Sequence, residues 1–129
     1  MARFDKQAVM AKIKKAPIVP VFYNKDISIA KAVLKACYDV GVRAFEFTNR
    51  SDFAHEIFGR LVKYAAMECP EMAVGVGSVV DPGTAALYMQ LGASADMKRL
   101  KSMECDGILS LFRLFEVRSG NLEKGVSQL

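Results

Sequence analysis

No C-x-x-C pair occurs in this sequence, and its three cysteines, Cys37, Cys69 and Cys105, stand far apart. The single histidine, His55, has no thiol beside it. Structural zinc sites need closely spaced thiols and imidazoles, so no metal site is expected, and the cysteines read as reduced thiols of a cytosolic protein. Long apolar runs are also missing. Stretches such as Ala73 to Val80 fall far short of the roughly 20 residues that span a bilayer, which excludes a membrane protein. The opening residues Met1 to Lys6 lead into an amphipathic stretch rather than a signal core, so a cytoplasmic location is expected. A large excess of either charge is also missing, with 18 Lys plus Arg against 14 Asp plus Glu and a formal net charge of +4. Lys12, Lys14 and Lys15 form the one tight basic group, and no aromatics interleave with it, which argues against a nucleic-acid partner. What remains is an ordinary globular mixture, 52% hydrophobic and 25% charged over 129 residues, enough for one domain.

Residues 4–15 carry apolar positions at helical spacing, and Ala16-Pro17 stops that helix. Pro17 to Tyr23 reads as a buried strand whose prolines either start it at a sheet margin or put Pro20 at a barrel-facing bend. Asp26 or Ser28 caps a helix whose face is Ile29, Val33, Leu34, Cys37 and Tyr38, ended by Gly41. Val42 to Thr48 is the second strand, and Asp52 caps a third helix with Phe53, Ile57, Phe58, Leu61, Val62 and Ala65 on its apolar face. Met72 to Val79 is the third strand, followed by Asp81-Pro82 opening a helix that closes on Gly92. Strand and helix thus alternate three times, the pattern of a parallel α/β sheet. An open doubly wound sheet and a closed (β/α)8 barrel both begin this way. A fourth strand is due just after Gly92-Ala93, yet beyond Ser94 the chain turns polar and the rhythm breaks.

The second strand puts Glu46, Thr48 and Arg50 on one face and Phe45 and Phe47 on the other. A carboxylate within an apolar strand is costly unless paired or used, so Glu46 is either ion-paired in the sheet or a proton carrier. Arg50, past the strand end, suits carboxylate or phosphate recognition. Gly75-x-Gly77-Ser78 lacks the third glycine of a dinucleotide fingerprint, Val80 standing there. Its glycines permit either a ligand or neighbouring backbone to come close.

Ile18-Val19-Pro20-Val21, Gly41-Val42-Arg43 leading to Phe45-Glu46-Phe47-Thr48-Asn49-Arg50, and Val74-Gly75-Val76-Gly77-Ser78-Val79, closed by Leu91-Gly92-Ala93, together resemble the N-terminal part of one family. These are the 2-keto-3-deoxy-6-phosphogluconate aldolases, which include the 4-hydroxy-2-oxoglutarate aldolases. The resemblance implies a homotrimeric (β/α)8 barrel and a metal-free class I aldolase that needs no cofactor and forms a Schiff base with pyruvate. It also implies that Glu46 transfers the proton and that Arg50, Gly77 and Ser78 hold the pyruvate carboxylate. Ser78 stands where relatives usually have threonine and keeps the hydroxyl.

One departure is large. The family's Schiff-base lysine lies in a K-x-F-P stretch, and this sequence has none. Lys98 and Lys101 belong to a surface-type helical segment and do not replace it. The expectation is therefore a partial TIM barrel of about three βα units over residues 1–94 plus a divergent segment over 95–129, from frameshift or internal deletion. Such a chain reads as a truncated homologue of the aldolase, keeping part of the pocket for a pyruvate-type 2-keto acid without catalysing; the alternative is a non-catalytic keto-acid-binding or assembly module. Its strands, apolar on both sides with unfilled edges, point to a homo-oligomer or self-association.

Overall fold

The computed structural model describes residues 3–94. Helix α1 spans Lys6–Lys15, followed by strand β1 (Val21–Phe22), helix α2 (Ile27–Asp39), strand β2 (Ala44–Thr48), helix α3 (Ala54–Glu68), strand β3 (Ala73–Gly77) and helix α4 (Pro82–Gln90). The three strands form one parallel sheet in the order β1-β2-β3. Val21 stands opposite Glu46, Glu46 opposite Gly75, and Thr48 opposite Gly77. This is the α/β alternation read from the sequence.

Two of the expected helix starts are seen as such. Asp26 accepts from the Ser28 N–H at 2.8 Å, and Asp81 accepts from the Thr84 N–H at 2.8 Å with Pro82 at the first helical position. Helix α3 begins differently from the Asp52 cap expected. Phe53 occupies the cap position in left-handed backbone (φ 61°), with no side-chain cap, and its own ring is exposed. Residue 53 therefore redirects the chain and does not join the apolar face. Ile29 likewise lies outside the buried face of α2, which rests on Ala30 and Leu34.

The first strand is also shorter than the apolar run suggests. Pro17 and Pro20 have no N–H to give to a ladder, so regular pairing starts only at Val21. Pro20 still contributes its carbonyl, which accepts from the Glu46 N–H at 2.8 Å. Ile18 and Val21 are exposed, whereas the reading as a buried strand would have hidden both.

Phe45, Phe47, Val74 and Val76 point to one face of the sheet, where Leu34, Phe58, Leu61 and Tyr88 from α2, α3 and α4 cover them. Ala44, Glu46, Thr48, Ala73, Gly75 and Gly77 occupy the other face by alternation. Helix α1 sits at its N-terminal end, where buried Val9 and Ile13 meet Val19, Ala44 and Ala73. An ion pair from Lys12 to Glu71 (2.9 Å) and a hydrogen bond from Arg3 to the Pro70 carbonyl (2.9 Å) hold it there. The opposite end of this face, at the strands' C-termini, carries the polar residues. At the far side of β3 the Ser94 N–H donates to the Val74 carbonyl at 2.9 Å, so the chain returns to the edge of β3 where a fourth strand was due. Residues 95–129, with Lys98, Lys101 and Cys105, lie outside the described residues.

Candidate functional site

Parallel βα units deliver their loops to the C-terminal edge of the sheet, and the candidate residues gather there. Glu46 is half-buried on the face opposite the phenylalanines, and Thr48, two residues on, is buried. In register Glu46 faces Gly75, yet its side chain leans toward the strand ends and lies over Gly77. A Cβ on Gly77 would stand 2.6 Å from Glu46 Cδ and 3.1 Å from Cγ, inside van der Waals contact. The open space at Gly77 is thus filled by the chain's own carboxyl group. Sequence reasoning offered ligand or backbone as the visitor; the side chain of Glu46 is a third answer.

Arg50 is exposed, in the loop that follows β2. Its N–H bonds back to the Thr48 carbonyl at 3.0 Å, and the preceding Asn49 N–H donates to the Gly77 carbonyl at 2.9 Å. That second bond ties the end of β2 to the end of β3. Ser78 follows immediately, exposed and left-handed (φ 59°), a conformation that costs a residue with a Cβ about 1 kcal/mol. The structure therefore brings Glu46 and Gly77 into contact and sets Arg50 and Ser78 just beyond two neighbouring strand ends.

A family model described as KDPG and KHG aldolase matches residues 9–97. The chain belongs to the KDPG and KHG aldolase family. It is 35% identical over 77 residues to the KHG/KDPG aldolase of Escherichia coli (strain K12), covering 60% of this chain and 34% of that one. It is 32% identical over 77 residues to the 2-dehydro-3-deoxy-phosphogluconate aldolase of Pseudoalteromonas atlantica. Among solved structures, the 2-keto-3-deoxy-6-phospho-gluconate aldolase of Zymomonas mobilis superposes with a TM-score of 0.55 at 27% identity, over 66% of this chain and 39% of that one. The chain spans about a third of the length of the curated relatives it matches. Its three parallel strands and four helices are part of the TIM-barrel-like fold of this aldolase family.

Two residues beside these strand ends were not singled out from the sequence. Tyr88 is buried on α4, and its hydroxyl donates to Asn49 Oδ1 at 2.9 Å. Tyr23, just past β1, pairs its hydroxyl with that of Ser51. A tyrosine in an otherwise apolar run was the available signal, because a buried phenol needs a polar partner.

Burial pushes the Tyr88 phenol up to about 12, with Tyr23 adding to the effect. The folded state thus holds this proton more tightly than the unfolded chain, whose tyrosines ionise near pH ~10. The resulting stabilisation is complete below about pH 10 and is lost as pH rises through 12. Its size is roughly 2 kcal/mol. Urea unfolding at pH 9 and at pH 12 should show that extra alkaline loss in the wild-type chain and not in Tyr88→Phe; equal losses in both would contradict it.

Proposed function

We propose that this chain carries the carboxylate-holding side of an aldolase-type pocket and binds a small 2-keto acid of the pyruvate kind. Arg50 pairs with the carboxylate, the Ser78 hydroxyl and the Gly77-Ser78 backbone support it, and Glu46 holds the position that the family resemblance gives to the proton-transfer group. The observation that carries the reading is the Glu46 carboxyl seated over Gly77, beside the strand ends from which Arg50 and Ser78 extend. Parallel βα units bring their loops to this edge, where α/β proteins place ligands, and a carboxylate, a guanidinium and a hydroxyl gather there.

Aldol cleavage of a 2-keto acid leaves an electron pair on the carbon next to the keto group. A class I aldolase takes up that pair through an amine bound covalently to the carbonyl carbon. The K-x-F-P stretch that bears the amine in the family is absent from the 129 residues. A carboxylate alone is too weak a base for the C–H beside an unactivated keto group, so these residues bind without turning over. Self-association through sheet edges belongs to the same proposal, supported by exposed Ile18 and Val21 at and beside β1. A cytosolic setting belongs to it too, supported by the free thiols of Cys37 and Cys69.

Two measurements on the purified chain test this reading. Titration with pyruvate followed by NMR should show saturable binding, with Kd on the order of millimolar. Incubation with pyruvate and borohydride should leave the protein mass unchanged. Absence of saturable binding would overturn the pocket, and one trapped pyruvate on a lysine would overturn the lack of turnover.

A further inference from the structure

Four aromatic rings run in file beneath the loop that carries Arg50. Tyr23 packs on Phe47 with centroids 5.5 Å apart, Phe47 on Phe58 at 6.0 Å, and Phe58 edge-on against Tyr88 at 5.0 Å. The rings come from the end of β1, from β2, from α3 and from α4, so the file crosses all three βα units. Phe47, Phe58 and Tyr88 are fully buried. Only the two end members carry hydroxyls, and both hydroxyls reach the same loop. Tyr88 donates to Asn49, and Tyr23 pairs with Ser51. Asn49 and Ser51 are the residues immediately before and after Arg50.

Packing alone does not require this. Phenylalanine at both positions would fill the same volume and leave no buried phenol to satisfy. Two hydroxyls from distant parts of the chain thus tether the side chains of both neighbours of one exposed arginine.

We propose that Tyr23 and Tyr88 are positioning residues for Arg50, pinning its loop so that the guanidinium is held ready for a carboxylate at the strand ends. The proposal rests on the reading of Arg50 as the carboxylate-binding group. A loop that is already ordered loses less freedom when the ligand arrives, so the pins act on affinity. Neither tyrosine touches the ligand in this account; each acts through a neighbour of Arg50.

The test uses the full chain with Tyr23→Phe, Tyr88→Phe and Arg50→Ala, and Tyr64→Phe on α3 as a control. Pyruvate affinity is read by NMR titration, and pinning by hydrogen exchange of the Arg50 amide, which is bonded to the Thr48 carbonyl. Each tyrosine substitution removes one hydrogen bond, so Kd should rise about 3- to 10-fold and Arg50 exchange should quicken by a similar factor. Tyr64→Phe should change neither. If a tyrosine variant fails to fold, Asn49→Ala and Ser51→Ala remove the same bonds from the loop side and should give the same shifts. Arg50→Ala that binds pyruvate as tightly as wild type overturns the proposed function, and the exchange rates then still decide whether the loop is pinned. Wild-type affinity and unchanged Arg50 exchange in both tyrosine variants, with binding lost in Arg50→Ala, overturn the positioning role alone.

Discussion

Gly77→Val should destabilise the protein by about 2–3 kcal/mol, and most of that loss should disappear when Glu46 is alanine. A Cβ at position 77 overlaps the Glu46 carboxyl, and valine adds two methyl groups to the same space. Strand backbone itself accepts valine readily, so the cost arises from the collision with one side chain. The carboxyl must then leave the place where the parallel ladder put it, and both its own contacts and the neighbouring strand end are disturbed. Urea unfolding of wild type, Gly77→Val, Glu46→Ala and the double variant measures the coupling. An unchanged penalty for Gly77→Val in the Glu46→Ala background would show that some other contact limits position 77.

The order of elements was readable because each βα unit carries its own punctuation. Asp26 and Asp81 cap the helices that follow, and Gly41 and Gly92 take left-handed backbone (φ 100° at both) at the ends of α2 and just past α4. The alternation within Phe45-Glu46-Phe47-Thr48 predicts which side chains enter the helix-covered core and which face the other way, and the burial of both phenylalanines agrees. Strand one was less legible, because an apolar composition says nothing about which N–H groups exist to pair; Pro17 and Pro20 decide that. The start of α3 was misread for a related reason. Asp52 is a good cap by type, but the chain turns through a left-handed Phe53 instead, and a bulky residue in that conformation leaves no compositional mark.

At the site, residue types were legible and their contacts were not. Glu46 and Thr48 share a face by strand period, but β2 ends at Thr48, so that period does not place Arg50 in the loop beyond it. That the Glu46 side chain would lean two residues along β3, from Gly75 to Gly77, depends on the register between strands, which periodicity does not specify. The Tyr88–Asn49 bond joins residues far apart in the chain, and no local pattern announces it. Small residues at Ala73, Gly75 and Gly77, facing Ala44, Glu46 and Thr48, mark the space that the Glu46 side chain takes. A strand that offers so little volume on one face leaves room for its neighbour's long side chain.

In the proposed pocket the Arg50 guanidinium, just past the end of β2, is the one charged group that pairs with the keto acid's carboxylate. A charge-assisted hydrogen bond contributes about 1.5–3 kcal/mol, so its loss moves a millimolar Kd upward by more than tenfold, beyond ordinary titration. Arg50→Lys keeps the charge and loses the planar fork, so it should bind with intermediate affinity. Lys25→Ala, an exposed cation in the turn before α2, should bind like wild type. Pyruvate titrations of these four proteins, followed by NMR at equal ionic strength, are the most direct measurement. Saturable binding is expected in wild type and Lys25→Ala, weakened binding in Arg50→Lys, and none in Arg50→Ala. Binding of equal strength in wild type and Arg50→Ala would contradict the pairing of Arg50 with the carboxylate.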